Sequence, residues 1–252
     1  MASDDSELAR ELAQQAGRLL LELRATRGGG EPKELGKAGD RLSQDFLAAE
    51  LAKRRPGDAV LSEEAVDDKG RLSADRVWII DPLDGTREFG EGRADWAVHV
   101  ALWERGADGL TAGAVALPAQ ELTLSTATEL PPPQEVADPI RIVVSRSRPP
   151  AFVEQIAGKL GADLDPLGSA GAKVAAVVTG EADAYVHGGG FYEWDTAAPA
   201  VVAKAAGFHV SRIDGSPVRY NEVDPLMPDI LVCPPTLAEK LLAAIREVTH
   251  AD

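Results

Sequence analysis

Residues 77–86 constrain this chain most. Val77, Trp78, Ile79 and Ile80 read as an apolar strand that runs straight into Asp81, Pro82, Leu83, Asp84, Gly85 and Thr86, so two carboxylates emerge where the strand ends. Pro82 restricts the backbone after Asp81, and Gly85 permits a tight turn in which backbone N–H groups can approach an anion. Such a turn can hold a hard cation with Asp81, Asp84 and the Leu83 carbonyl. Magnesium suits it: the ion takes oxygen ligands in an octahedron, retains several waters and needs only a sparse set of carboxylates. The remaining ligands must come from elsewhere. Taken alone, the same Asp-Pro-x-Asp-Gly run is also simply a good turn.

Around this segment the chain alternates between helical and extended patterns. Leu8, Leu12, Leu19 and Leu23 recur at helical spacing, and Leu42, Phe46, Leu47 and Leu51 trace a second stripe, which predicts two helices. The stretch between them, roughly Gly28 to Gly39, opens on three consecutive glycines and has few apolar residues, so a mobile loop is expected there, able to close over a site. Beyond Pro56 come strand-like runs at Val77 to Ile80, Trp96 to Trp103, Ala112 to Leu117 and Glu121 to Thr126, an antiparallel sheet beside the helices. Four prolines between Pro131 and Pro139 mark a boundary. It separates an α+β half, 1–136, from an α/β half, 137–252. The second half predicts strands at Ile140 to Ser145, Ala184 to His187 and Ile230 to Cys233. Its helices are expected at Ala151 to Leu160, Ala170 to Val178, about Thr196 to Ala206, and a last one opening with a Thr236/Glu239 capping box. The fold class is therefore α/β.

Composition narrows the partners. With 41 acidic residues against 26 basic, a net charge of −15 and no Lys/Arg-rich block, nucleic-acid polymers and anionic membranes are poor partners. A protein this acidic that handles an anionic small molecule must neutralise its charge locally, with placed arginines or with metal ions. The four histidines are scattered without zinc-like spacing, and His99 and His187 read as strand residues. Cys233, the single cysteine, sits in an apolar run, as a core residue in a reducing compartment does. No run of about 18 apolar residues occurs, and Met1 to Glu7 is polar and acidic, so a soluble cytoplasmic protein is expected.

Two other segments change the weight of the first. Glu63 and Glu64 follow a short apolar stretch, and Trp194 and Asp195 precede Thr196, Ala197 and Ala198. Singly they read as a solvated loop and a helix N-cap. In this order, Glu63-Glu64, Asp81 to Thr86 and Trp194 to Ala198, the three segments resemble the motifs of the inositol monophosphatase superfamily of lithium-sensitive, metal-dependent phosphatases. The resemblance runs from about Asp40 to Gly207. It implies a layered αβαβα sandwich with the metal site where the two halves meet, commonly in a homodimer. It further implies that Glu63, Asp81, Asp84, Asp195 and the Leu83 carbonyl bind two or three Mg2+ ions. Asp40, Thr86 and Glu63 would form the catalytic set, with Thr86 positioning the attacking water and Asp40 pairing with its hydroxyl. The family commonly carries a Ser-Pro-Val-Thr-like run just before the Asp40 position, where this chain reads Glu34 to Gly39.

Details beside the motifs point to a branch. Arg87, Glu88 and Phe89 resemble the Lys-Glu-Phe of 3′(2′),5′-bisphosphate nucleotidases, as do Glu193 to Ala198 and Val143 to Ser147. The resemblance then implies removal of the 3′-phosphate from 3′-phosphoadenosine 5′-phosphate, a step linked to sulfate assimilation. Gly85 and Thr86 would hold phosphoryl oxygens beside Asp195, and Ser145, Arg146, Ser169 and Lys173 are candidates for the rest of the substrate. Arg148 and Lys173 are also readable as plain solvated charges. Inositol monophosphatase or fructose-1,6-bisphosphatase activity is the alternative, and an idle metal- or nucleotide-binding protein the non-enzymatic one.

Overall fold

The computed structural model describes residues 4–27, 29–67, 69–107, 109–147 and 149–249. Gly28, Arg148 and Met1 to Ser3, which entered the reading above, lie outside them.

Two long helices open the chain, α1 (Asp4–Arg27) and α2 (Pro32–Arg54). The first sheet follows: β1 (Ala59–Ser62), β2 (Arg76–Asp84), β3 (Ala97–Glu104), β4 (Gly109–Leu117) and β5 (Leu122–Ser125), with α3 (Thr86–Gly90) between β2 and β3. Its strands lie in sequence order, and every pairing is antiparallel except β1 with β2. The second sheet is built from β6 (Arg141–Ser145), β7 (Asp163–Leu167), β8 (Ala184–His187), β10 (His209–Ser211) and β12 (Ile230–Cys233). It is interleaved with α4 (Ala151–Leu160), α5 (Ala170–Thr179), α6 (Glu193–Ala205) and α7 (Pro235–Thr249). Its order is β10-β12-β8-β6-β7, parallel across β8-β6-β7 and antiparallel elsewhere. A short ribbon pairs β9 (Phe191–Tyr192) with β11 (Leu226–Met227).

Strand alternation sorts the apolar residues into three cores. Trp78 and Ile80 of β2 face Leu8, Leu12, Leu20 and Leu47 of α1 and α2. Val77 and Ile79 face the opposite way, onto a middle layer where α5 and α6 lie between the sheets. The far face of the second sheet, through Ile142, Val144 and Leu231, meets α4 and α7 at Val153, Ile156, Leu241 and Ile245. The result is the five-layer αβαβα sandwich. Cys233 is fully buried, as expected of a core residue, and burial pushes its thiol up to about 12.

Several expectations needed correction. The mobile loop spanning Gly28 to Gly39 is for the most part helix: α2 starts at Pro32, and Gly36 and Gly39 are buried inside it. A Cβ at Gly36 would stand 2.7 Å from Thr86 Cγ2, and one at Gly39 would stand 2.8 Å from Leu83 Cδ2. These glycines serve close packing of α2 onto the Asp81–Thr86 segment rather than flexibility, and no closing loop is built from them. α6 begins three residues before Thr196, so Asp195 sits in its first turn and caps it from there, with Tyr192 at the N-cap position. α7 begins at Pro235, which puts Thr236 within the helix and removes the expected capping box. β7 was not foreseen because Pro166 interrupts it. The strand lies at the sheet edge, where a missing N–H is tolerated.

Candidate active site

The site is built by an irregularity in β2. Asp81 pairs with His99 and Asp84 with Ala97, so three steps on β2 face two on β3 and the register shifts between them. In a regular strand residues three apart point to opposite faces. The bulge across Pro82 and Leu83 restores Asp84 to the side of Asp81 and turns Leu83 into the α1/α2 core. Both carboxylates therefore face the middle layer, where the first turn of α6 brings Asp195. Carboxylate oxygens of Asp81, Asp84 and Asp195 all lie within 4.8 Å of one another.

Each carboxylate is held by local contacts. Asp81 Oδ1 accepts the Leu83 N–H at 3.0 Å, whereas its buried Oδ2 has no hydrogen-bond partner among the described residues. Asp84 Oδ2 accepts the Gly171 N–H of α5 at 2.7 Å and lies 3.2 Å from His99 Nε2. Asp195 Oδ2 accepts the Tyr192 N–H at 2.6 Å, a reach-back that anchors the start of α6.

The electrostatics follow from crowding acids in a buried place. Burial, and then the charges of Glu63, Asp84 and Asp195, push the Asp81 carboxyl well above its ordinary range. Asp195 is pushed up to about 6 by burial and then by Asp84. Burial acts on Asp84 in the same direction but is outweighed by His99, Lys173 and the Gly171 N–H, so its carboxyl is lowered. Glu63 is exposed as a residue, yet enough protein surrounds its carboxyl that desolvation, followed by Asp195 and Asp84, raises it to about 8. It lies outside the tight group of three.

Thr86 and Asp40 lie beside this group, within reach of the Glu63 and Glu64 charges. The Thr86 hydroxyl lies 3.0 Å from Asp40 Oδ1 and 3.1 Å from the Leu83 carbonyl, and its one proton serves either acceptor. Burial raises Asp40 to about 7, with the Thr86 hydrogen bond opposing and the Glu64 charge adding. Gly85, at φ 85°, turns the chain from β2 into α3 and packs against Trp96 and Ser169.

A cleft of about 700 Å³ opens above this floor, lined by Asp84, Gly85, Thr86, Ser145, Ser169, Lys173 and Asp195. Ser169 caps α5 by accepting the Ala172 N–H at 2.9 Å. Lys173 is 3 % exposed, so it is no solvated charge: its ammonium donates to the Gly168 and Ser169 carbonyls and stands 5.4 Å from the Tyr185 ring centroid. Arg146 donates to Glu88 at 2.8 Å and to Glu91 at 2.8 Å, so two carboxylates already occupy its fork. The cleft also takes in Arg87 and His187, read above as a branch marker and a strand residue rather than as site residues, together with Phe191 and the run Gly188-Gly189-Gly190, which the sequence did not single out. Three glycines directly after a strand were the available signal. His99 and Gly171 were missed as well; the signal for His99 was a lone imidazole on a strand face otherwise made of Ala97 and Ala101.

A layered αβαβα sandwich whose middle layer gathers three carboxylates under a polar cleft defines the sugar-phosphatase class of folds, with an acidic cluster suited to a divalent metal. The chain belongs to the inositol monophosphatase family, whose model matches residues 2–250. It is 52% identical over 255 residues to a Mycobacterium leprae protein named 3′-phosphoadenosine 5′-phosphate phosphatase, covering 97% of this chain and 94% of that one. It is 32% identical over 197 residues to the Escherichia coli K12 3′(2′),5′-bisphosphate nucleotidase CysQ, covering 73% of this chain and 78% of that protein. Among solved structures, CysQ from Bacteroides thetaiotaomicron superposes with a TM-score of 0.76 at 26% identity, covering 91% of this chain and 97% of that one.

Proposed function

We propose that the chain is a Mg2+-dependent phosphomonoesterase that removes the 3′-phosphate of 3′-phosphoadenosine 5′-phosphate, leaving AMP and phosphate. The observation that carries this reading is the buried, unpartnered Oδ2 of Asp81 beside Asp84 and Asp195. Two buried acids beside a half-buried third are costly, Lys173 offsets only part of their charge, and a hard divalent cation with oxygen ligands answers both the charge and the orphaned lone pairs. The residues present fit such an ion. Glu63, Asp81, Asp84, Asp195 and the Leu83 carbonyl would hold two or three. When bound, the ions supply positive charge for the phosphoryl oxygens and for the departing ribose oxygen.

The chain's own groups do the rest. Donating its proton to Asp40, the Thr86 hydroxyl turns a lone pair toward the cleft, where it accepts from a water and aims that water at phosphorus. Asp40, raised to about 7, is poised to take up a proton near neutral pH. Glu63, whose charge couples to Asp84, Asp195 and Asp40, completes the catalytic set beside that water. Gly85, in the left-handed conformation, leads the backbone N–H groups of Gly85 and Thr86 toward the non-reacting oxygens. Ser145, Ser169, Lys173 and Arg146 surround the remainder of the substrate. For Arg146 this requires the second phosphate to compete with Glu88 and Glu91.

The proposal extends to a homodimeric, lithium-sensitive, cytoplasmic enzyme of sulfate assimilation, with the halves 1–136 and 137–252 meeting at the site. The nucleotide preference is supported by the M. leprae relative at 52% identity. No helix among the described residues is long and apolar enough to cross a membrane. The test compares phosphate release from 3′-phosphoadenosine 5′-phosphate, inositol 1-phosphate and fructose 1,6-bisphosphate, with Mg2+ and with a chelator. A clear kcat/KM advantage for the nucleotide is expected. Preference for either sugar ester would overturn the substrate, and release that survives chelation would overturn the metal.

A further inference from the structure

The parallel strands of the second sheet point their carboxyl ends at the cleft. β6 ends at Ser145 and β8 at His187, each two residues beyond the Val143–Tyr185 pair, and both residues line it. From there the chain leaves to opposite faces: after β6 it enters α4 on the far face, and after β8 it enters β9 and α6 in the middle layer. Neighbouring strands that part in this way open a crevice at their carboxyl ends, the usual seat of a ligand in an open α/β sheet. Alternation along β8 sends Ala184 and Val186 to the far core, and Tyr185 with His187 to the side of the cleft.

The walls of the cleft differ in chemistry. Lys173 and Arg87, the lysine and arginine among its described lining residues, come from α5 and α3, and residues 185–191 bring no Lys, Arg, Asp or Glu. That side carries a row of rings instead. The Tyr185 and His187 centroids lie 6.0 Å apart with planes 28° from parallel, and His187 lies 4.9 Å from Phe191. Tyr185 and Phe191 are buried, so His187, half-buried, is the ring of the row with surface left to offer. Directly after it, Gly189 and Gly190 take φ 81° and 77°, and a Cβ at Gly190 would meet no atom within 4 Å. Backbone without side chains lets a flat ligand approach closely. A phosphate finds no lysine or arginine on this side, whereas a planar heteroaromatic ring finds an aromatic face beside bare backbone. We propose that His187 and the Gly188–Gly190 backbone seat the purine base and so set the preference for a nucleotide over a sugar phosphate, an inference that rests on the nucleotide reading of the site.

The experiment uses the full chain with His187→Leu, which keeps bulk and loses the aromatic face, and His187→Phe, which keeps a ring. Three substrates are compared at saturating Mg2+: 3′-phosphoadenosine 5′-phosphate; adenosine 3′-phosphate, which keeps the base and lacks the second phosphate; and ribose 3,5-bisphosphate, which keeps both phosphates and lacks the base. Loss of one base–aromatic stack weakens binding about 5–150-fold. His187→Leu should raise KM by that factor for both adenosine esters and leave ribose 3,5-bisphosphate within about twofold, while His187→Phe stays near the wild type. An equal loss on ribose 3,5-bisphosphate, or a loss confined to the two bisphosphates, would put His187 at the sugar or the second phosphate and overturn the proposal. So would a His187→Phe variant as weak as His187→Leu, since a hydrogen bond and not a stack would then have been lost. Should His187→Leu not melt cooperatively, His187→Ala decides. If the wild type shows no preference for 3′-phosphoadenosine 5′-phosphate over inositol 1-phosphate and fructose 1,6-bisphosphate, the nucleotide reading falls, and this inference with it; a preference that survives His187→Leu intact sinks the base seat alone.

Discussion

Asp84 and Asp40 carry the sharpest expectations at the scale of single residues. Asp84→Asn keeps an oxygen for the Gly171 N–H and changes no volume, so the melting temperature should stay within a few degrees while kcat/KM falls about 10²-fold or more. Unchanged turnover would remove Asp84 from the metal site. Asp40 must be ionised to accept a proton, and it is held at about 7. Bound Mg2+ draws that value down, so turnover at saturating Mg2+ should rise with pH over a limb that ends below about 7 and level off above it. In Asp40→Asn the rate should be low and that limb absent, which a pH–rate profile reads directly. Residue types made the paired aspartates around Pro82 legible in the sequence, whereas Asp40 entered only through the family resemblance. The partners of those residues were not legible. Nothing near position 99 or 171 in the chain announces that they meet Asp84, because each reaches it from a different element.

Among the elements, α2 departs furthest from expectation. Glycines were read as freedom, yet Gly36 and Gly39 let the helix lie against Thr86, Leu83 and Phe89 and so carry Asp40 to its hydroxyl partner. Gly36→Ala gains about 1 kcal/mol of helix propensity but must displace Thr86. Overpacking costs about 1–3 kcal/mol. The variant is expected to be neutral to about 2 kcal/mol less stable in urea unfolding, and to lose kcat more than nucleotide affinity. Equal kcat would mean that α2 can shift without moving Asp40. The strands with continuous apolar runs, β2, β3, β8 and β12, were visible because burial on both faces writes itself into composition. β7 and β10 lie at the sheet edges and are largely polar, and leave no such trace.

Over the whole molecule, the acidic cluster couples fold stability to pH and metal. Raised carboxyl groups favour the folded state when protonated, so their contribution is complete below their ordinary values and is lost as pH rises through the folded ones. For Glu63 that window runs from 4.5 to about 8 and for Asp195 from 3.8 to about 6; Asp81 shifts in the same direction. Asp84, lowered, acts with the opposite sign but only below 3.8. Chelated protein should therefore melt at falling temperature between pH 5 and 8, and Mg2+ should raise the melting temperature more at pH 8 than at pH 6. Calorimetric scans with and without metal test this, and a Mg2+ effect independent of pH would detach the acids from the ion. Sequence alone determined the α/β class, the strand that delivers Asp81 and Asp84, and the ordered set of acidic segments, because apolar periodicity and turn residues act over a few neighbouring positions. Only the tertiary structure decided that a bulge turns Asp84 to the side of Asp81, that α6 starts early enough to present Asp195, and that the Gly171 N–H of α5 comes to Asp84. Those outcomes depend on register and close packing between elements distant in the chain, which no local pattern encodes.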